Sequence, residues 1–405
     1  MKTTELILIS ISGKDRPGVT AALTGILGKY ETDILDIGQA DIHHNLSLGI
    51  LFRTTSDLSG EIMKELFFKA NEIGVEIRYT PIPQEEYAEW VSMQGKHCYI
   101  ITVLGRTITA KQISAVSDVI RKHDLNIDSI KRLTGRIPLT GIDSSTSKAC
   151  IRVSVRGFVP SDSTLPKDLM SVSRELDVDI SLQEDNMYRR CRRLICFDMD
   201  STLIQTEVID ELAMRAGVGD KVKAITERAM RGEIDFCESF TERVALLKGL
   251  DVRVMKEIAE SLPITEGVDR LMEALKRTGY KIAILSGGFT YFGEYLKRKY
   301  NIDYVYANQL EIGPDNKLTG RYVGEIVDGR RKAELLRLLA QFENVNIAQT
   351  IAVGDGANDL PMLSTAGLGI AFHAKPKVKE NAGQSISTIG IDGVLYFLGF
   401  KDSFI

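Results

Sequence analysis

Apolar and polar positions alternate along residues 1–185 in two segments with the same order of elements. Segments 6–27 and 99–120 each read as a strand, a glycine-containing turn and an amphipathic helix. A strand follows in both, and a further strand, helix and short strand close each copy. The repeated order βαββαβ predicts two ferredoxin-like domains.

We place these domains at 1–83 and 97–185. Residues 81–90 are Pro-rich and acidic, which predicts a linker between the two copies over 84–96. Residues 136–148 are rich in Ser and Thr, so we expect a loop inside the second copy.

From residue 186 onward, short apolar runs are separated by stretches of helical periodicity. Runs without alternation are typical of parallel strands covered by helices on both faces. These runs lie at 194–197, 281–286, 350–354 and 368–372. Residues 205–264 show only helical periodicity and many charges, so we expect a helical cap over one end of the sheet. The interpretation is one α/β domain with a Rossmann-like parallel sheet over 186–405.

Composition and charge argue against a nucleic-acid-binding, membrane or secreted protein. The net charge of −4 gives no overall attraction to nucleic acid or to an anionic membrane. The five cysteines are odd in number and lack paired spacing, which favours reduced thiols in a cytoplasmic protein. No apolar stretch is long enough to span a bilayer, and the first apolar run is too short for a secretory signal.

Polar residues follow the apolar runs, at the strand ends where ligands bind in open α/β sheets. The residues at these ends are Asp198 and Asp200 after the first run, Ser286, Gly287 and Gly288 after the second, and Asp355, Asn358 and Asp359 after the third. Lys332 lies between the last two groups, at the start of a predicted helix.

Carboxylates gathered at one sheet edge, without His or Cys ligands, suit Mg²⁺. We expect Asp198 and Asp355 to bind it through their carboxylates and Asp200 through its backbone carbonyl. Asp359 is expected to support this site by hydrogen bonding. The Ser286–Gly287 turn is expected to open a helix whose N–H groups, together with Lys332, bind a phosphate.

A metal, an N–H cradle and a lysine beside a free carboxylate indicate phosphoryl transfer. Asp198, nearest the strand end, is the candidate nucleophile, and Asp200 is the candidate general acid and base. Alone, the two aspartates would indicate only a polar strand end, and Lys332 only a solvated helix residue. Their occurrence in one ordered series favours the catalytic interpretation.

The motifs "DMDST", "SGG", Lys332 and "GDGAND" resemble those of the haloacid dehalogenase-like phosphatases, most closely the phosphoserine phosphatases with N-terminal ACT domains. The resemblance implies hydrolysis of phosphoserine to serine, the last step of serine biosynthesis. It also implies that Glu207 binds the ammonium group of the substrate and that Arg243 binds its carboxylate. Phe236 is expected to form one wall of the cap. Glu207 and Arg243 could instead form an ordinary salt bridge within the cap.

The segment "SGKDRPGV" resembles the amino-acid-binding loop of ACT domains. Asp15 and Gly18 are therefore candidate effector-loop residues, with serine as the candidate effector. The second copy reads "LGRTITAK" and lacks this aspartate and glycine, so we expect no working ligand loop there. ACT domains usually pair, which implies a homodimer.

Two alternative functions stay open. One is a related phosphatase or phosphotransferase that acts on another small phosphorylated compound. The other is an amino-acid-sensing protein whose phosphatase half is inactive, although the intact set of motif residues argues against this.

Overall fold

The computed structural model describes residues 3–92, 95, 97–136 and 146–405. The chain divides into two compact units, Met1–Lys96 and His97–Ile405. The predicted loop over 136–148 lies largely outside the described residues.

The first unit contains the first repeat, an antiparallel sheet with strand order β2-β3-β1-β4 and two packed helices. Its elements are β1 (Thr4–Lys14), α1 (Val19–Lys29), β2 (Asp33–Ile42), β3 (Asn45–Thr55), α2 (Ser59–Ile73) and β4 (Val75–Ile82). Every second residue of β1 points into the core, where Ile7, Ile9 and Ile11 are buried. This alternation is the pattern from which the fold was predicted.

The predicted linker contains a helix, α3 (Gln84–Ser92). Glu85 and Glu86 lie in its first turn, where acidic side chains are favoured by the helix dipole. The amide of Tyr87 donates to the carbonyl of Pro83, 3.0 Å away. A helix often begins just after a proline and has acidic residues in its first turn. We interpreted these same residues as the composition of a linker.

The second unit begins with the second repeat, whose sheet has the matching order β6-β7-β5-β8. Its elements are β5 (Cys98–Gly105), α4 (Ala110–Lys122), β6 (Asn126–Arg132), β7 (Ala149–Arg156), α5 (Leu165–Glu175) and β8 (Asp179–Glu184). The short helix α6 (Met187–Arg190) leads from it into the predicted α/β domain. The two repeats confirm the predicted βαββαβ order.

The α/β domain is built on a sheet of seven described strands, in the order β12-β11-β10-β9-β13-β14-β15. The strands are β9 (Leu194–Phe197), β10 (Lys281–Phe289), β11 (Tyr304–Ile312), β12 (Leu318–Val323), β13 (Thr350–Gly354), β14 (Leu368–Phe372) and β15 (Ser385–Ile386). β9 pairs in parallel with β10 and β13, and both β9 and β13 are buried along their whole length. The predicted parallel arrangement is confirmed for six of these strands, whereas the edge strand β12 pairs antiparallel with β11.

Helices cover this sheet and form the cap. The cap helices are α7 (Val208–Arg215), α8 (Gly219–Met230), α9 (Phe236–Ala245) and α10 (Arg253–Ser261). The remaining helices are α11 (Val268–Arg277), α12 (Thr290–Tyr300), α13 (Gly329–Phe342), α14 (Leu360–Thr365), α15 (Pro376–Ala382) and α16 (Gly393–Phe397).

Two segments, 203–206 and 262–266, connect the cap to the sheet, and we call them the cap hinge. They run side by side, joined by a bridge between Ile204 and Ile264. The amide of Gln205 donates to the carbonyl of Pro263 (2.8 Å), and that of Thr265 donates to the carbonyl of Leu203 (3.1 Å). The two chain connections between the cap and the sheet are therefore joined to each other by backbone hydrogen bonds.

None of the helices in the described ranges is both long enough and apolar enough to cross a membrane.

Candidate active site

Asp198 lies directly after β9, at the carboxyl end of the sheet. Its amide donates to the carbonyl of Val353 on the adjacent strand (2.9 Å), and its Oδ1 accepts from the amide of Met199 (2.7 Å). The following turn is closed by a bond from the amide of Leu203 to the carbonyl of Met199 (2.9 Å). These bonds fix one carboxylate oxygen of Asp198 and leave the other to face its neighbours.

Lys332 is fully buried beneath this carboxylate. Its Nζ lies 2.8 Å from Oδ2 of Asp198 and 2.7 Å from Oδ1 of Asp359. Burial lowers the pKa of Lys332, but Asp198 and Asp359 outweigh burial, and the net pKa lies above its usual value. Asp328 caps the helix that carries Lys332 by accepting from the amide of Arg331.

Asp198, Asp355 and Asp359 form a compact acidic group. Carboxylate oxygens from the three all lie within 4.8 Å of one another. Burial first, and then repulsion from Asp198, raise the pKa of Asp355 to about 7 and that of Asp359 to about 7. The cluster thus carries more negative charge than Lys332 can balance, and its oxygen donors fit a divalent cation.

Asp359 contributes to this group mainly by holding its neighbours. Its Oδ1 accepts from Lys332 and its Oδ2 accepts from the amide of Gly356 (3.0 Å). Both oxygens of Asp359 are therefore engaged, as are those of Asp198, so the supporting role of Asp359 stays a prediction. Asp355 accepts on Oδ1 from the hydroxyl of Thr202 (3.1 Å), which leaves its other oxygen available.

Asp200 lies apart from the acidic group, against the cap. Its Oδ1 accepts a long hydrogen bond from the amide of Val208 (3.4 Å), the first residue of α7. A Cβ atom placed on Gly288 would lie 2.4 Å from Oδ2 of Asp200, so only glycine permits this approach. Burial, and then repulsion from Glu207 and Asp198, raise the pKa of Asp200 well above its usual value. A carboxyl group in this environment tends to hold its proton.

Ser286, Gly287 and Gly288 were predicted to bind phosphate, and we call them the phosphate segment; the turn predicted here is wrong. The three residues belong to the end of β10, whose register with β11 becomes irregular between Leu285 and Phe289. The next helix, α12, begins only at Thr290. The amide of Gly288 donates to the hydroxyl of Ser286 (3.0 Å), so the irregular strand end, and not a helix terminus, shapes this segment.

Asn308 holds the phosphate segment from behind, and sequence reasoning missed it. Its buried side chain donates to the carbonyl of Gly287 (2.8 Å) and accepts from the amide of Val327 (2.8 Å). It therefore ties the phosphate segment to the loop that precedes the Lys332 helix. Asn308 lies in strand β11, and the apolar pattern of the sequence did not predict this strand. The sequence therefore gave no indication of Asn308.

Glu207 and Arg243 face the site from the cap without pairing to each other. Glu207 accepts from the hydroxyl of Ser201 (2.8 Å), and Nε of Arg243 donates to the carbonyl of Ser239 (3.2 Å). Within the described ranges, no ion pair joins the two, so the simple salt-bridge alternative is wrong. Burial lowers the pKa of Arg243, and the nearby Glu207 opposes this effect.

Phe236 closes the cap over the phosphate segment. A Cβ on Gly287 would lie 2.9 Å from Cζ of Phe236, so the ring rests directly on this glycine. Phe236 stacks on Phe240, which packs in turn against Phe289 at the end of β10.

Asn358 lies in a 3-10 helix, Ala357–Asp359, beside the start of α13. A Cβ on Gly329 would lie 2.4 Å from the carbonyl of Asn358, so the two segments are in close contact. The half-buried Asn358 is thus held at the same edge of the sheet as Lys332.

Asp15 and Gly18 lie in the first unit, which we describe by itself. Gly18 precedes α1 with φ +96°, a left-handed conformation that favours glycine. The amide of Asp15 donates to the carbonyl of His44 (2.8 Å). A cavity of about 450 Å³ is lined by residues 15–21 with Gln39 and Leu46.

Comparisons with known proteins agree with this architecture. A family profile described as haloacid dehalogenase-like hydrolase matches residues 192–367, and ACT-domain profiles match residues 5–80 and 97–183. The chain is 41% identical to phosphoserine phosphatase SerB2 of Mycobacterium tuberculosis, over 97% of this chain and 93% of that protein. It is 40% identical to a phosphoserine phosphatase of Archaeoglobus fulgidus, over 85% of this chain and 94% of that protein.

Among solved structures, the chain resembles a probable phosphoserine phosphatase from Vibrio cholerae. The identity is 34% and the TM-score 0.57, over 74% of this chain and 86% of that one. A haloacid dehalogenase family hydrolase from Salmonella enterica serovar Typhi gives a TM-score of 0.61 at 31% identity, over 74% of this chain and 98% of that one.

Proposed function

Because the chain belongs to the phosphoserine phosphatase family of haloacid dehalogenase-like hydrolases with N-terminal ACT domains, we propose that it hydrolyses O-phospho-L-serine to L-serine and phosphate. The observation that carries this proposal is the buried Lys332, which bridges Asp198 and Asp359 beside Asp355. Such a charge arrangement suits a phosphoryl group held against a carboxylate nucleophile. The reaction would complete serine biosynthesis.

Asp198 acts as the nucleophile. Its oxygen forms a bond to phosphorus while the bond from phosphorus to the serine oxygen breaks, which leaves an aspartyl-phosphate. Asp200 gives its proton to the departing serine oxygen, as its raised pKa allows. Asp200 then takes a proton from water, whose oxygen bonds to phosphorus as the acyl-phosphate bond breaks and Asp198 is restored.

We propose that Mg²⁺ is the divalent cation of this site. Asp198 and Asp355 would hold it with their carboxylates, and Asp200 with its backbone carbonyl. When bound, the ion offsets the charge of the phosphate and of the acidic cluster. Thr202 and Lys332 keep the carboxylates oriented by holding their remaining oxygens.

In this proposal, each charged group of phosphoserine is bound by different residues. Glu207 binds the ammonium group and Arg243 binds the carboxylate. The phosphate is bound by Ser286, the amide of Gly287, Lys332 and Asn358. Phe236 covers the site and excludes water during attack.

Regulation and assembly belong to the ACT-like repeats in this proposal. Serine binds at the loop of the first repeat that contains Asp15 and Gly18, and two chains pair through their ACT domains into a homodimer. The cytoplasm is the proposed compartment.

The first test is phosphate release from L-phosphoserine with Mg²⁺, with EDTA, and for Asp198→Asn. We expect turnover that needs the metal and is lost in the variant, while Asp220→Asn, an exposed carboxylate of the cap, retains it. Turnover that survives in Asp198→Asn would overturn the proposed mechanism. A folded protein that binds serine but shows no turnover would favour the amino-acid-sensing alternative.

A second test separates phosphoserine from other phosphate esters. Arg243→Ala should lower kcat/KM for L-phosphoserine by about 100-fold or more and leave p-nitrophenyl phosphate nearly unchanged, because only phosphoserine has a carboxylate. Equal losses on both substrates would contradict the role of Arg243. Product analysis in the presence of an alcohol distinguishes hydrolysis from phosphotransfer.

A further inference from the structure

An ion pair joins the second repeat to the cap hinge. Arg106 directly follows β5 and forms two parallel bonds with Glu266, from Nη1 to Oε1 (2.8 Å) and from Nη2 to Oε2 (2.6 Å). The two side chains are 28% and 43% exposed, so the pair is partly shielded from water. The carbonyl of Arg106 accepts from the hydroxyl of Ser147 (2.9 Å), which anchors the loop within its own repeat.

Glu266 is the last residue of the cap hinge, where the chain enters the core. Its carbonyl accepts from the amide of Ile391 (2.8 Å). The next residue, Gly267, has φ +88°, and a Cβ there would lie 2.3 Å from Oδ1 of Asp392. The end of the hinge is therefore pressed against the loop that leads into α16.

Further bonds from the second repeat reach the same region. Lys148 forms an ion pair with Asp392, to which Arg270 in the first turn of α11 also donates (2.8 Å). Arg270 donates in addition to Asp402 (2.6 Å), whose second oxygen accepts from the amide of Gly135 (2.6 Å). The second repeat thus also binds Asp392 and Asp402, the two carboxylates that hold Arg270 shortly after Glu266.

A short path of bonds leads from the hinge to the catalytic loop. Thr265, next to Glu266, donates from its amide to the carbonyl of Leu203, and the amide of Leu203 donates to the carbonyl of Met199. Met199 lies between Asp198 and Asp200. A displacement of Glu266 would therefore reach both aspartates through two backbone hydrogen bonds.

We propose that Arg106 is a positioning residue through which the second repeat sets the opening and closing of the cap. This rests on the proposed function, since cap movement matters only for a substrate held beneath it. The proposal also explains why this β–α loop lacks the aspartate and glycine of the first repeat. The second loop carries an arginine that binds the hinge of its own chain.

The test compares Arg106→Gln and Glu266→Gln with Arg174→Gln. Arg174 forms the matched control, because it also joins the second repeat to the α/β domain, by a 2.9 Å bond to Glu380, away from the hinge. For L-phosphoserine, we expect Arg106→Gln and Glu266→Gln each to change kcat or KM by about 3- to 10-fold. The double variant should show a change no larger than that of either single variant, because both substitutions remove the same ion pair. Arg174→Gln should stay within about 1.5-fold of the parent.

Hydrogen exchange gives a readout that does not depend on turnover. The amides of Leu203, Gln205 and Thr265 should exchange faster in Arg106→Gln than in the parent and in Arg174→Gln. The exchanged pair Arg106→Glu with Glu266→Arg should restore slow exchange. Equal hinge exchange in Arg106→Gln and Arg174→Gln overturns this proposal, even in a protein that hydrolyses phosphoserine. Faster exchange in a protein without turnover supports the hinge contact and contradicts the proposed function instead.

Discussion

At the scale of single residues, Asn308 shows how a non-reacting side chain can shape the site. It donates to Gly287 and accepts from Val327, so one amide group spaces the phosphate segment from the Lys332 helix. Aspartate has the same shape and still accepts from Val327, but it turns a negative oxygen toward the carbonyl of Gly287. A buried acceptor opposite another acceptor is unfavourable.

We therefore expect Asn308→Asp to lower kcat/KM for L-phosphoserine by about 10- to 100-fold. The free energy of unfolding should fall by about 1–3 kcal/mol. Steady-state kinetics, inhibition by inorganic phosphate and urea unfolding would measure these effects. Asn316→Asp, in the exposed turn between β11 and β12, is the matched control. Unchanged phosphate inhibition in Asn308→Asp would show that the segment does not need this anchor.

Lys332 illustrates the energetic cost of a buried charge. It is fully buried between two carboxylates, so removal of its amine leaves Asp198 and Asp359 close together without a cation. Lys332→Met, measured without added metal, should lower the free energy of unfolding by about 3–5 kcal/mol.

Two further variants make this prediction specific. Adding Asp359→Asn should recover part of the loss, because one of the facing charges is then gone. Lys297→Met, at a partly exposed position on α12, should change stability by less than about 0.5 kcal/mol. A small effect at both lysines would mean that the acidic cluster is protonated when Lys332 is absent.

The sequence indicated which chain positions meet at this site, because parallel strands bring their carboxyl ends to one edge. Asp198, Ser286 and Asp355 lie there for that reason, and Lys332 reaches the same edge from the start of α13. The donors that hold them were not predictable. Thr202 binds a carboxylate 153 positions away, and such pairings depend on the packed strand order.

At the scale of elements, helix α9 links cap stability to substrate binding. It carries both Phe236 and Arg243, and it begins with a capping box between Asp235 and Glu238. The Asp235 side chain accepts from the amide of Glu238 (2.8 Å), and the Glu238 side chain accepts from the amide of Asp235 (3.0 Å). Loss of this capping box would loosen the first turn of α9, which places Phe236 over Gly287.

Asp235→Ala should lower the free energy of unfolding by about 1 kcal/mol. We expect kcat/KM for L-phosphoserine to fall about 10-fold, because the Phe236 ring would no longer be held over the site. Asp235→Asn keeps an acceptor oxygen and should restore both values. Thermal unfolding and steady-state kinetics would test this, and a loss of stability without a loss of kcat/KM would separate the cap box from catalysis.

Elements were predictable where the hydrophobic period was strong. The buried runs of β9, β13 and β14 and the alternating strands of the repeats stood out for this reason. Strand β11 and the edge strands β12 and β15 did not, because their partial exposure breaks both patterns. The end of β10 was misread because two glycines favour a turn in sequence, whereas here they let Asp200 and Phe236 approach the strand.

At the scale of the whole molecule, the proposed chemistry and the proposed effector loop fall in different compact units. Every residue proposed for catalysis lies in His97–Ile405, whereas Asp15 and Gly18 lie in Met1–Lys96. A protein of residues 97–405 should therefore keep kcat and KM for L-phosphoserine within about threefold, yet lose any response to serine.

Full-length Gly18→Val should likewise keep kcat and KM for L-phosphoserine but lose any response to serine. A φ of +96° is strained for a β-branched residue, so the loop would have to change shape. Gly25→Ala, within α1, has open space for its Cβ and should keep the response. Phosphate release over a range of serine concentrations up to the millimolar level, with calorimetric titration of serine, would test all three proteins. A serine response that persists in residues 97–405 would place the effector site in the second unit. The loop around Asp15 and Gly18 would then have some other ligand, or only a structural role.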